Sequence, residues 1–153
     1  MLVRLTYTSR PGEQLGIHEV DTILTTSKRN NATNHISGIL VYGDHFFLQC
    51  LEGPRNEVND TYLRIAGDKR HTDCMLLRYE HVDCRIFGQW AMGRIQYKAE
   101  ASGLAKKYST HGFLDPYAMS SNQAEKFMIE LGELAQVANE RKQLHKTLRK
   151  TTG

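Results

Sequence analysis

The 153-residue sequence has few cysteines and no motif that couples them. Cys50, Cys74 and Cys84 are an odd set without CxxC spacing. That argues against a disulfide framework and a zinc site, and suits a reducing compartment. No stretch approaches the roughly 20 apolar residues that a membrane-spanning helix needs. The opening Met1-Leu2-Val3-Arg4-Leu5 reads as a strand; it lacks the basic start, long apolar run and small-residue cleavage site of a secretory signal. The expected location is the cytoplasm. Common catalytic signatures are missing too: no Walker loop, GxGxxG, HExxH or GxSxG. The seven histidines are scattered without metal-ligand spacing, so no metal site is expected. A net charge of +3 is too small to argue for nucleic acid; a phosphate-bearing ligand suits it equally.

What is present is the composition of an ordinary folded domain: 40% hydrophobic and 24% charged residues argue against disorder. Leu2 to Thr8 alternates, with Val3, Leu5 and Tyr7 on one face and Arg4, Thr6 and Thr8 on the other. From about Ile17 the period becomes helical, with Val20, Leu24, Ser27 and Asn31 on one stripe and Ile23 beside it. Ser37–Tyr42 and His45–Leu51 read as two strands joined by a tight Gly43-Asp44 turn. The second is apolar on both faces and is expected at the centre of the sheet. Gly53-Pro54 opens a second helix, with Pro at its first position and Val58, Thr61, Tyr62 and Ile65 as its inner stripe. Met75–Val82 is a fourth strand, and a fifth runs around Trp90–Tyr97. The order βαββαββ predicts an α+β, ferredoxin-like sheet with two helices on one face. A long helix from about Asn122 carries Phe127, Met128, Leu131, Leu134, Ala135 and Ala138 at helical spacing. It is expected to cap the other face or bind a partner. Residues 1–98 then form one unit and 99–153 a helical extension.

Three polar residues fall where apolar ones are expected. Tyr7 follows Val3 and Leu5, Gln49 sits between Phe47 and Leu51, and Asn31 lies on the first helix's apolar stripe. Buried groups of this kind are costly unless a partner supplies complementary donors and acceptors. Convergence between helices and sheet suggests a ligand with a mixed hydrogen-bonding edge, such as a flavin ring.

Over residues 2 to 97 the chain resembles the BLUF domains, sensors of blue light using FAD. The resemblance rests on Leu5-x-Tyr7-x-Ser9, on Asn30-Asn31 ahead of Ile36-Ser37-Gly38-Ile39-Leu40, and on Phe46-Phe47-Leu48-Gln49-Cys50-Leu51-Glu52-Gly53. Asp68-x-Arg70-His71 and Arg85-x-Phe87-x-x-Trp90-x-Met92-Gly93 complete it. It implies a flavin ring lying between two helices, sandwiched by Ile23 and Ile65 and held at its carbonyl edge by Asn31. Arg70 and His71 then lie beside the pyrimidine side, and Asn30, Arg64 and Asp68 fall in the binding region. Lys28, Arg29 and Arg64 are candidates for the phosphate tail. FAD is the implied cofactor, with FMN or riboflavin also tolerated. Tyr7 and Gln49 become the photoactive pair: the phenol yields an electron and a proton to the excited flavin, the amide rearranges, and the flavin absorbs further to the red until dark reversion. Trp90 and Met92, alternating on a strand and so sharing a face, are candidates to relay the change, and Trp90 competes as electron donor.

No cyclase or phosphodiesterase pattern follows the sensor, so a non-enzymatic, stand-alone photoreceptor is expected. It acts through a downstream protein or by self-association as a homo-oligomer, with no membrane partner. The basic tail residues Arg141-Lys142, Lys146 and Arg149-Lys150 are either a solvated helix end or a docking patch. Two other classes compete. An RNA-binding ferredoxin-like module shares the topology, but Gly43-Asp44-His45-Phe46 lacks the basic residue and glycine pattern of its stacking strand. An acylphosphatase-like enzyme would need a phosphate cradle that the sequence does not supply.

Overall fold

The structure, a computed structural model, describes residues 1–13, 22, 26, 29–30, 34–98 and 103–151. Five strands form one sheet: β1 (Leu2–Pro11), β2 (Ser37–Tyr42), β3 (Phe47–Pro54), β4 (His71–His81) and β5 (Gly93–Gln96). Their order is β4-β1-β3-β2-β5. The first four pair antiparallel, and β5 adds in parallel to β2. This is the ferredoxin-like α+β arrangement expected from the sequence, with β3 at its centre.

Both faces of β1 and β3 are buried, so the sheet separates two cores. One contains Val3, Leu5, Tyr7, Leu40, Phe47 and Leu51 beneath helix α1 (Arg55–Ala66). On α1, Val58 and Thr61 are buried, while Tyr62 and Ile65 pack at the edge. Thr22, Thr26, Arg29 and Asn30 are also helical; Val20, Ile23, Leu24, Ser27, Lys28 and Asn31 lie outside the described residues. The second core, on the opposite face, joins Ile39, Val41, Leu48 and Cys50 to Phe127 and Met128. These last two come from α3 (Ser121–Thr151), which is held to the short α2 (Leu104–Tyr108) where Tyr108 Oη and Lys107 Nζ meet Glu130.

Four local expectations are corrected. The β2–β3 connection is a four-residue loop, not a two-residue turn: Gly43 N donates to Phe46 O at 3.0 Å, and a side chain on residue 43 would meet the Phe46 ring at 2.9 Å. Pro54 ends β3 and forms the N-cap of α1, with Arg55 as the first helical residue. β5 begins only at Gly93, so Trp90 and Met92 precede it and do not alternate along a strand. On α3, Phe127, Met128 and Leu131 are buried, but Leu134 and Ala138 are exposed; the sheet-capping stripe stops near Gly132.

Candidate functional site

Tyr7 and Gln49 occupy directly opposed positions of β1 and β3. Registry therefore places both side chains on the same face, and both are buried. Tyr7 Oη donates to Gln49 Oε1 at 2.5 Å, and Gln49 Nε2 donates to Met92 Sδ at 3.3 Å. Burial, with smaller contributions from Cys74 and Tyr62, holds the Tyr7 phenol well above its ordinary pKa. The phenol is thus a neutral hydrogen-bond donor.

A cavity of about 240 Å³ opens beside this pair. Leu40, Phe47 and Ile65 give it apolar walls, and Asn30, Arg64, Asp68, Arg70 and His71 give it a polar rim. Arg70 N and Nε donate to Asp68 Oδ1 at 2.9 and 3.0 Å. Arg70 Nη2 also reaches Asp68 Oδ2 at 2.5 Å. These bonds hold the Asp68 carboxyl down at about 2. His71 Nδ1 lies 2.9 Å from Ser9 Oγ, and its ring lies 4.8 Å from that of Phe47. Burial pushes its pKa down, opposed in part by Asp68. Arg64 Nη2 donates to Thr61 Oγ1 at 3.3 Å.

The structure thus gathers Tyr7, Asn30, Gln49, Arg64, Ile65, Asp68, Arg70 and His71 around one cavity. Ile23 and Asn31 lie outside the described residues. Trp90 and Met92 are separated: Met92 belongs to the Tyr7 core, whereas Trp90 packs into the core on the opposite face. Trp90 stacks on Phe87 with ring centroids 6.1 Å apart. It lies close to Gly132 of α3, where an added Cβ would sit 2.8 Å from the indole. Sequence reasoning did not assign a role to Ser9, though its position two residues after Tyr7 on an alternating strand was the available signal. Glu52 escaped for another reason. It is fully buried on the cap face, accepting from Arg4 Nε at 3.1 Å, Ile86 N at 2.9 Å and Phe87 N at 2.6 Å. It thereby anchors the segment leading to Trp90 and Met92.

The cavity suits a flat heterocycle. An amide offers two donor hydrogens and two acceptor lone pairs; Tyr7 and the weakly accepting Met92 sulfur engage one of each. The remaining capacity of Gln49 lies at the cavity wall and calls for a ligand edge carrying both acceptors and donors. A volume of about 240 Å³ is below the roughly 300–1,000 Å³ usual for ligand pockets.

Residues 2–93 match the family described as BLUF, sensors of blue-light using FAD. A photoactivated adenylate cyclase subunit beta of Euglena gracilis is 34% identical over 92 residues, which are 60% of this chain and 11% of that protein. The blue light- and temperature-regulated antirepressor BluF of Escherichia coli (strain K12) is 29% identical over 92 residues, covering 60% of this chain and 23% of that one. The chain therefore spans a small part of these relatives. Among solved structures, the BlsA photo-activated state is similar with a TM-score of 0.78 and 29% identity, over 86% of this chain and 94% of that one. The BlrB dark-state structure, of a BLUF protein, matches with a TM-score of 0.60 and 32% identity, over 62% of this chain and 72% of that one. These matches favour the light sensor over the RNA-binding and acylphosphatase readings. A buried phenol–amide pair at a ring-sized cavity, within the matched residues, completes the assignment: the chain belongs to the BLUF family, the blue-light sensors that use FAD.

Proposed function

We propose that Tyr7 and Gln49 are the light-driven switch of this sensor, and that the change leaves the cavity through Met92. The short Tyr7–Gln49 bond carries this reading, with Met92 as the amide's second contact. When bound, the flavin supplies blue-light absorption and a strong excited-state oxidant. Ile65 and Ile23 would flank its ring, Asn31, Arg70 and His71 its polar edge, and Asn30, Arg64 and Asp68 the adjoining rim. The small cavity supports FAD whose adenine end is loosely held, with FMN or riboflavin accepted.

Oxidation of the Tyr7 ring makes its hydroxyl strongly acidic, and the proton then has a ready path to Gln49 Oε1. Rotation of the amide, or relocation of a proton from its nitrogen to its oxygen, exchanges its donor and acceptor ends. Met92 then faces a changed partner. One net hydrogen bond contributes about 0.5–1.5 kcal/mol, so light biases an equilibrium rather than rebuilding the fold. Residues 1–98 act as the sensor and 99–153 as the output extension. Output is non-enzymatic and passes through a protein partner, a reading in keeping with the E. coli relative being an antirepressor. No helix among the described residues is long and apolar enough to cross a membrane, and the cytoplasm is the proposed location.

The test begins with colour. Purified protein is expected to be yellow, and to absorb further to the red after blue light. Tyr7→Phe and Gln49→Ala are expected to keep the flavin and lose that shift. Protein that stays colourless after FAD is added refutes the cofactor assignment, and a normal shift in both variants refutes the switch.

A further inference from the structure

Arg85 lies half-buried in the irregular stretch between β4 and β5. Its guanidinium donates to three neutral oxygens: Nη1 to Ser37 Oγ at 2.6 Å and to Glu52 O at 2.9 Å, and Nη2 to His35 O at 2.7 Å. These acceptors belong to the turn that enters β2, to the first residue of β2 and to the last part of β3. A cation kept only for solubility has no use for such a set. A planar, forked donor that joins three stretches of chain serves geometry.

Each of those stretches borders the switch. Asn34 N donates to Asn30 O at 3.0 Å, so Arg85 fastens the chain just where it leaves the helical turn carrying the cavity residue Asn30. His35 there has a φ of 58°, a left-handed conformation that persists in a residue with a side chain only where its surroundings fix it. Glu52 lies three residues beyond Gln49 on β3, and its carboxylate accepts from Ile86 N and Phe87 N. Backbone and side chain of Glu52 together therefore grip the start of the bend that runs to Met92. Ser37 precedes Gly38, whose N–H holds Trp90 O at 3.0 Å. A Cβ on residue 38 would collide with Cys50 O and come 3.3 Å from the Met92 methyl, so Met92 packs onto backbone that only glycine leaves open. Resting on the switch assigned above, we propose that Arg85 is its positioning residue: the fork holds the entry of β2 and the end of β3 to the bend, and so fixes where the Met92 sulfur meets Gln49 Nε2. Lysine in its place keeps the charge but offers one nitrogen instead of a fork, and does not span the same three oxygens.

A double-mutant cycle on the full flavin-loaded chain tests this, read as dark recovery after a blue flash. Arg85→Lys acts through the Met92 contact, so it is expected to change the recovery rate about two- to fivefold, the reach of that contact. In a Met92→Leu background the same substitution should have no further effect. A residue that merely stabilised the fold would change both backgrounds by the same factor. A second readout needs neither flavin nor light. In NMR spectra of protein with isotope-labelled methionine methyls, the Met92 signal is identified by its loss in Met92→Leu. It should shift in Arg85→Lys, while that of Met128, in the opposite core, stays in place. Urea unfolding checks that each variant is folded, and Ser37→Ala, which deletes one acceptor, takes over the cycle if Arg85→Lys is not. Equal factors in both backgrounds, or an unmoved Met92 signal, overturn the proposal. Wild-type protein without a light-induced shift refutes the switch itself and this role with it. A wild type that shifts, beside an Arg85→Lys variant that recovers identically, refutes the role alone.

Discussion

Gln49 presents its amide nitrogen to the Met92 sulfur at 3.3 Å, joining the central strand to a residue just before the edge strand. A thioether is a weak acceptor, so this contact adjusts the switch rather than creating it. Met92→Leu is expected to retain flavin and the light-induced shift while changing the dark-recovery rate about two- to fivefold, the effect of about 0.5–1 kcal/mol. Time-resolved absorption after a blue flash measures this; complete loss of the shift would contradict the secondary role.

Glu52 is expected to be far more sensitive. Its removal leaves the buried Arg4 guanidinium and two backbone N–H groups, of Ile86 and Phe87, without their carboxylate. Breaking one side of a buried pair costs about 3–5 kcal/mol. Glu52→Ala should therefore shift urea unfolding by an amount of that order, whereas Glu80→Ala, at a partly exposed partner of Arg4, should cost about 1 kcal/mol or less.

Gly132→Ala sets two effects against each other. Alanine gains about 1 kcal/mol in helix propensity, but its methyl would sit 2.8 Å from the Trp90 ring. Overpacking of this kind typically costs about 1–3 kcal/mol. Net destabilisation is expected, with altered emission from the single tryptophan. An unchanged spectrum and higher stability would show that the indole moves aside freely.

Acid should weaken the fold in two windows. Burial depresses the His71 pKa below its ordinary 6.5, so its contribution is complete above that value and falls away as pH drops through the depressed one. Arg70 lowers Asp68 from 3.8 to about 2, so its contribution is present above 3.8 and lost toward about 2. In urea titrations His71→Gln should flatten the stability change between pH 7.5 and 5.5. Persistence of the wild-type slope would point to other histidines.

The thiols should separate by reactivity. Cys84 is exposed, whereas Cys50 is buried and burial holds its thiol in the protonated form. Iodoacetamide at pH 8 is expected to modify Cys84 readily and Cys50 only after unfolding, as mass spectrometry of tryptic peptides would show.

Much of this arrangement was legible before any coordinates. Two-residue alternation in β1 and β3 marked Tyr7 and Gln49 as polar intrusions on apolar faces, and registry brings them opposite one another. Glu52 carried no such signal: an acidic residue at a strand end reads as solvated until its tertiary partners are known. Alternation presumes a strand, so it does not place Trp90 and Met92, where the chain is irregular until Gly93. On α3 the period continued through Leu134 and Ala138, but helical spacing does not say where the supporting surface ends.

The irregular passage from Trp90 to Met92 has a consequence for how the two sides of the molecule communicate. β3, at the centre of the sheet, is a wall filled on both sides, and a signal crossing it would have to disturb side chains with no room to yield. Two residues of one bend instead reach around the rim, one into each compartment. Gly38 N and Trp90 O clasp that bend to β2 at 3.0 Å, giving it a fulcrum. Met92 and Trp90 thus connect the Tyr7 core to the underside of α3 without passing through the wall.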